Sequence, residues 1–144
     1  LHLLSRRQRQ MCIRDRGIAG LLVGARFALS HREEIEQYED SLARDLRTRL
    51  SALRGVRVLG HPAAPKVGVV SFVPTAMDPG ELCDALAHEG FALRAGLHCA
   101  PSVHQWLGTL HTGACRASVG IYNTETDVEA LAAAVGRLLG PDRA

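Results

Sequence analysis

The hydrophobic period of this chain changes at Gly55, and that change limits the folds open to it. Before it, Ile35, Tyr38, Leu42, Leu46, Leu50 and Leu53 recur at three- and four-residue steps, the stripe of an amphipathic helix. Ser30 followed by Glu33 reads as a capping box at its start, and Gly55 reads as its stop. A helix of about six turns in so small a chain predicts a strut joining two bodies. After Gly55, "VRVLG" (56–60) and "KVGVVSFVP" (66–74) are β-rich runs, and "HPAAP" between them reads as a turn joining neighbouring strands.

The remaining elements alternate. Asp78, Pro79 and Glu81 set up a helix start whose inner face is Leu82, Ala85 and Leu86, with Gly90 as its end. "FALRAG" predicts a short strand, "SVHQWLGTL" one or two helical turns, and "CRASVGIY" (115–122) another strand. Asn123 or Thr124 then caps a helix carrying Val128, Leu131, Val135 and Leu138, stopped by Gly140 and Pro141. Ahead of the strut, Gly17–Leu29 is apolar nearly all round and expects to be buried against something larger. The order predicts an α+β domain: a small antiparallel or mixed sheet with helices on one face, preceded by a long connecting helix.

Charge is unevenly spread. Residues 1–16 hold five arginines and one aspartate, a balance of +4; against the chain's total of +2, this leaves −2 for residues 17–144. The basic arm has no helical period and no strand alternation. It resembles translated adapter sequence, so we read 1–16 as an arm outside the native fold, 17–54 as a helical connector and 55–144 as the C-terminal domain. The acidic remainder gives no electrostatic reason to expect nucleic acid. No apolar run approaches the roughly 20 residues needed to span a bilayer, so no membrane partner is expected. Outside the arm only Cys83, Cys99 and Cys115 remain, an odd number without repeated spacing. Reduced thiols in a cytoplasmic setting are the expectation.

Three features carry chemistry. Cys99 lies in "RAGLHCAP", bracketed by Gly96 and Pro101, so it stands on a loop rather than on the apolar face of a periodic element. Arg94 and His98 beside it favour the thiolate, the reactive form. Arg116 stands in an otherwise apolar or small strand and must find a partner. That partner is either an internal carboxylate such as Glu81 or Asp84, or the carboxylate of a ligand, which suits planar bidentate geometry. A metal site made from His98, Cys99, His104, His111 and Cys115 has the right ligand types for zinc but not the spacing, and we expect no metal.

Residues 91–131, "FALRAGLHCAPSVHQWLGTLHTGACRASVGIYNTETDVEAL", resemble the C-terminal region of the cysteine desulfurases, class V aminotransferase-like enzymes that use pyridoxal 5'-phosphate. Cysteine loop, arginine strand with its asparagine–threonine turn, and acidic helix start follow in the family's order. The helix at 17–29 is similar to the family's helix just before its small domain. Leu97 departs from the pattern, standing where sulfur-mobilising members carry a second histidine.

The resemblance implies the small domain of a fold type I pyridoxal-phosphate transferase. It implies Cys99 as the nucleophile that takes sulfur from L-cysteine as a persulfide, releasing alanine. It implies Arg116 as the grip on the substrate carboxylate, with Arg94 and His98 at the same pocket mouth. A homodimeric parent and a sulfur-acceptor protein belong to the same implication. The family's Schiff-base lysine lies in a large domain upstream; the chain's single lysine, Lys66, opens a strand of the small domain. No residue here is therefore expected to bind the cofactor, and the chain alone is expected to be inactive. Alternatives on the same scaffold are a class V aminotransferase or a selenocysteine lyase, and in another class a cofactor-free thiol or sulfur-carrier module.

Overall fold

The apolar stripe before Gly55 and the alternating runs after it meet in one core. The structure, a computed structural model, describes residues 2–61 and 67–140. Two compact units divide the chain, one up to Ile35 and one from Glu36. In chain order the elements are α1 (His2–Ser30), α2 (Arg32–Ser51), β1 (Val56–Val58), β2 (Val69–Pro74), α3 (Pro79–His88), β3 (Arg94–Gly96), α4 (Pro101–Leu107), β4 (Ala114–Ser118) and α5 (Glu125–Leu139).

The strands form a sheet in the order β1-β2-β4-β3, each neighbouring pair antiparallel. Because side chains alternate along a strand, the register decides what faces what. Val70 pairs with Ala117 and Phe72 with Cys115, and these four, all buried, face the helices. Leu42, Leu46 and Leu50 of α2, Leu82 and Leu86 of α3, and Val128, Leu131 and Val135 of α5 pack against them. Each such side chain taken out of water contributes about 1.5–3 kcal/mol, so this face supplies most of the drive to fold. The α+β architecture with helices against one face is therefore present. On the opposite face Leu107 of α4 packs against a smaller cluster of Leu59, Val73 and Ala114.

The caps show why two of the helices begin where they do. Asp78 accepts from the backbone N–H of Gly80 at 2.7 Å and of Glu81 at 3.4 Å, with Pro79 in the first turn. Thr124 and Asp127 form a reciprocal capping box at the start of α5, which decides between Asn123 and Thr124.

Two expectations need correction. Ser30 does not cap α2: its hydroxyl donates back to the carbonyls of Arg26 at 2.8 Å and Phe27 at 3.2 Å, closing α1, and the break falls at His31. Helix α1 begins at His2 and runs through 17–29. The strand expected at 115–122 ends at Ser118; Asn123 Oδ1 then accepts from the N–H of Gly120, and Asn123 N–H donates to the Gly120 carbonyl, turning the chain toward α5. Residues 62–66, including most of the turn between β1 and β2 and Lys66, lie outside the described residues. No helix among the described residues is long and apolar enough to cross a membrane.

Candidate active site

The sheet face away from the main core carries the site. Ser71 of β2 pairs with Arg116 of β4, and Arg116 with Arg94 of β3, so the three stand in one row across the sheet. Ser71 and Arg116 line a cleft of about 390 Å³, together with Arg47 of α2, His104 of α4 and the loop residues His98 and Ala100. Its remaining walls are apolar, among them Leu59, Val69, Val103 and Leu107, and among the described residues no carboxylate is part of the lining.

Arg116 thus points away from α3, and among the described residues no acidic side chain forms an ion pair with it. The internal pairing with Glu81 or Asp84 is not made. Like charges directly opposite on a sheet are unfavourable, and Arg94 and Arg116 are such a pair. An anion on this face would relieve both. Arg94 is exposed and does not line the cleft itself.

Cys99 is exposed and free, between two residues that line the cleft. His98 (φ 49°) and Cys99 (φ 58°) both adopt left-handed backbone. That region costs a side-chain-bearing residue about 1–2 kcal/mol, and such strain persists only where the surroundings impose it. Gly96 enters the turn at φ 116°, and the Ala100 N–H closes it on the Leu97 carbonyl at 2.9 Å. The turn hands over directly to α4, with Pro101 in its first turn.

His98 is partly buried, and its Nε2 lies 3.0 Å from the Ala114 carbonyl. Burial lowers its pKa below the ordinary value; the Ala114 carbonyl opposes this, and the charges of Arg116, His104 and Arg94 add to the lowering. Near neutral pH the ring is therefore uncharged. The expectation that His98 favours a thiolate by its charge does not fit this environment. His104 is buried, its Nδ1 2.8 Å from the Thr109 hydroxyl, and its ring centroid is 6.2 Å from that of His98.

The residues weighed as metal ligands do not come together. Cys115 is fully buried on the helix side of the sheet, its thiol donating to the Pro79 carbonyl at 3.4 Å. Its contact with Cys83 and its burial push its pKa far up, so it stays a thiol. Among the described residues no group of three or more potential ligands stands close enough to hold a metal ion.

Ser71 and Arg47 went unread in the sequence, and His104 was weighed there only as a metal ligand. Ser71 had a signal: it is the one polar residue in "VVSFV", at the position opposite in parity to Val70 and Phe72. Arg47 had none, because its approach to the cleft depends on where β1 ends; its guanidinium donates to the Leu59 carbonyl at 2.9 Å.

Comparison with known proteins places these features in a family. The model of the "Aminotransferase class-V" family matches residues 16–131. A Staphylococcus aureus (strain COL) protein named "Probable cysteine desulfurase" is 36% identical over 99 residues, 69% of this chain and 24% of its own length. A Halalkalibacterium halodurans protein of the same name is 39% identical over 100 residues, again 69% of this chain and 24% of its own. The solved apo cysteine desulfurase of Thermococcus onnurineus NA1 superposes with a TM-score of 0.76 at 30% identity, covering 83% of this chain and 30% of that one. The chain spans about a quarter of the length of the curated relatives it matches. Over most of its own length, and with the cysteine turn and arginine strand inside the matched region, the chain belongs to the class-V aminotransferase family.

Proposed function

We propose that the chain is the C-terminal part of a pyridoxal-phosphate-dependent cysteine desulfurase, and that it supplies the sulfur-accepting half of the active site. The observation that carries this reading is the exposed Cys99 on a left-handed turn beside a cleft whose wall holds Arg116 without an acidic partner among the described residues. Arg116 binds the carboxylate of L-cysteine through its planar fork, and Arg94 across the ladder adds attraction for the same charge. The Cys99 thiolate receives the substrate sulfur, leaving a persulfide on Cys99 and releasing alanine. An acceptor protein then removes the outer sulfur, which the exposure of Cys99 permits.

The described residues do not fit the cofactor itself. An imine to pyridoxal phosphate needs a primary amine, and the cleft offers guanidinium, imidazole and hydroxyl groups. Lys66, the single lysine, lies outside the described residues. The cofactor would supply the electron sink for breaking the carbon–sulfur bond, held by the large domain that the relatives' extra length accommodates. On this reading the parent is a homodimer working in the cytoplasm, and the isolated chain neither binds pyridoxal phosphate nor desulfurates cysteine.

The test is an enzyme rebuilt by joining residues 17–139 to the preceding part of the Staphylococcus aureus relative. It should release sulfide from L-cysteine in the presence of a thiol reductant. Cys99→Ala should abolish that release, and Arg116→Ala should raise KM for L-cysteine. Full sulfide release by the Cys99→Ala enzyme would end the proposal. So would an imine absorbance band on adding pyridoxal phosphate to the isolated chain that is lost in Lys66→Ala.

A further inference from the structure

Two uncharged contacts hold the base of the Cys99 turn against β4. Gly113, just ahead of β4, comes so near Gly96 that a Cβ on it would lie 2.8 Å from the Gly96 backbone. One residue further on, the Ala114 carbonyl meets His98 Nε2 at 3.0 Å. A carbonyl oxygen only accepts, so Nε2 carries the proton. His98 Nδ1 is buried and has no hydrogen-bond partner among the described residues. In the neutral ring it is a bare lone pair. In the imidazolium it would be a buried, unpaired donor on a cation facing Arg116 from β4, Arg94 from β3 and His104 from α4. The geometry selects the neutral tautomer protonated at Nε2.

We propose that His98 is a positioning residue: its Nε2–H, donated to the Ala114 carbonyl, clasps the two-residue left-handed turn that presents the Cys99 thiol. This rests on the reading above only in taking Cys99 as the nucleophile. Without the clasp, the Gly96–Gly113 contact at the base and the Ala100 to Leu97 backbone bond are left to hold two residues in a region they do not favour. The turn then relaxes toward ordinary backbone, and the thiol loses its fixed direction. His104, braced by Thr109, stands behind the clasp, with its ring beside that of His98. The role differs from electrostatic activation, in which a cationic imidazole would lower the thiol pKa.

The two roles separate experimentally, because glutamine can offer an N–H near the position of histidine Nε2, whereas asparagine is too short. In the 144-residue chain, amide exchange across residues 97–100 should run roughly three- to tenfold faster in His98→Ala and His98→Asn, the factor corresponding to one net hydrogen bond. His98→Gln should restore it. The pH midpoint of iodoacetamide alkylation at Cys99, followed by peptide mass spectrometry, should stay in place in His98→Gln while the rate changes in His98→Ala. Nitrogen NMR of the unaltered chain should show His98 protonated at Nε2 and bare at Nδ1, a readout that survives if a variant fails to fold. A proton on Nδ1 alone, unchanged exchange in both shortened variants, or an equal upward shift of the alkylation midpoint in His98→Ala and His98→Gln would overturn the clasp. Sulfide release surviving Cys99→Ala in the rebuilt enzyme would overturn the function and leave these readouts standing.

Discussion

Two glycines and one histidine set the conditions under which Cys99 can stand where it does. Gly113 sits at φ 71°, and a Cβ there would press into the Gly96 backbone. Neither the strained dihedral nor the contact with backbone can be relieved by moving a side chain. Gly113→Ala should therefore cost about 2–4 kcal/mol and lower the urea midpoint accordingly; an unchanged midpoint would show that the β3–β4 junction is loose. His98 adds a pH dependence whose sign follows from its environment. Its folded pKa lies below the ordinary value, so the unfolded chain binds a proton first as pH falls. The contribution is fully present above about pH 6.5, the ordinary histidine value, and is lost as pH drops toward the folded pKa. His98→Gln removes this increment, so its Tm should fall less than that of the unaltered chain between about pH 7.5 and about pH 5.5. Parallel decline of the two would assign the effect to another group. Part of this was readable beforehand. The loop setting of Cys99 and the oddness of Arg116 in a small-residue strand are visible in "RAGLHCAP" and "CRASVGIY". The charge state of His98 is not, because it depends on how the fold buries the ring, on a carbonyl 16 residues away that opposes that burial, and on arginines from two strands.

Among the elements, side chains that bond locally were readable to the extent that only one local partner was available. Asp78 and Thr124 each stand before an apolar-periodic run with no helix ahead of them, and both cap as their residue types suggest. Ser30 has the same signature with Glu33 but follows a helix that is already formed. Its hydroxyl therefore finds the Arg26 and Phe27 carbonyls, while the His31 ring stacks on Phe27 at 4.5 Å. A spacing rule cannot separate the end of one helix from the start of the next when a single residue divides them. The two serine/threonine positions should consequently respond differently. Thr124→Ala removes a cap that satisfies an orphan donor and should cost about 1 kcal/mol. Ser30→Ala removes only an exposed back-bond and should change stability by less than about 0.5 kcal/mol. Urea titrations of both, followed by far-UV circular dichroism, decide the matter: an equal loss would return Ser30 to the capping role. The sheet was legible as strands but not as an order. Placing β4 between β2 and β3 requires two connections that bring distant segments together, and periodicity carries no information about which strands will be neighbours.

At the scale of the whole molecule, the destination of the apolar side chains sorts the chain into two kinds of sequence. From Glu36 onward they converge: Leu42, Leu46, Leu50, Phe72, Leu82 and Leu86 are essentially without exposure. In α1, Leu21, Val23 and Leu29 are 73%, 67% and 75% exposed, although the run at 17–29 is among the most apolar in the chain. Apolar side chains that stay in water contribute little to folding and favour association. The two sets should therefore separate in one pair of measurements. Phe72→Ala opens a cavity between the sheet and its helices and should cost about 3–5 kcal/mol. Replacing Leu21, Val23 and Leu29 together by glutamine should leave the urea midpoint within about 0.5 kcal/mol of the unaltered chain. It should also reduce the concentration dependence of sedimentation. A triple variant that unfolds as readily as Phe72→Ala would mean that these side chains of α1 belong to the folding core. A variant with unchanged midpoint and unchanged sedimentation would mean that they draw no second chain. Reduced association with an intact midpoint is the outcome expected of a helix whose apolar partner is supplied from elsewhere, as the proposed large domain would do.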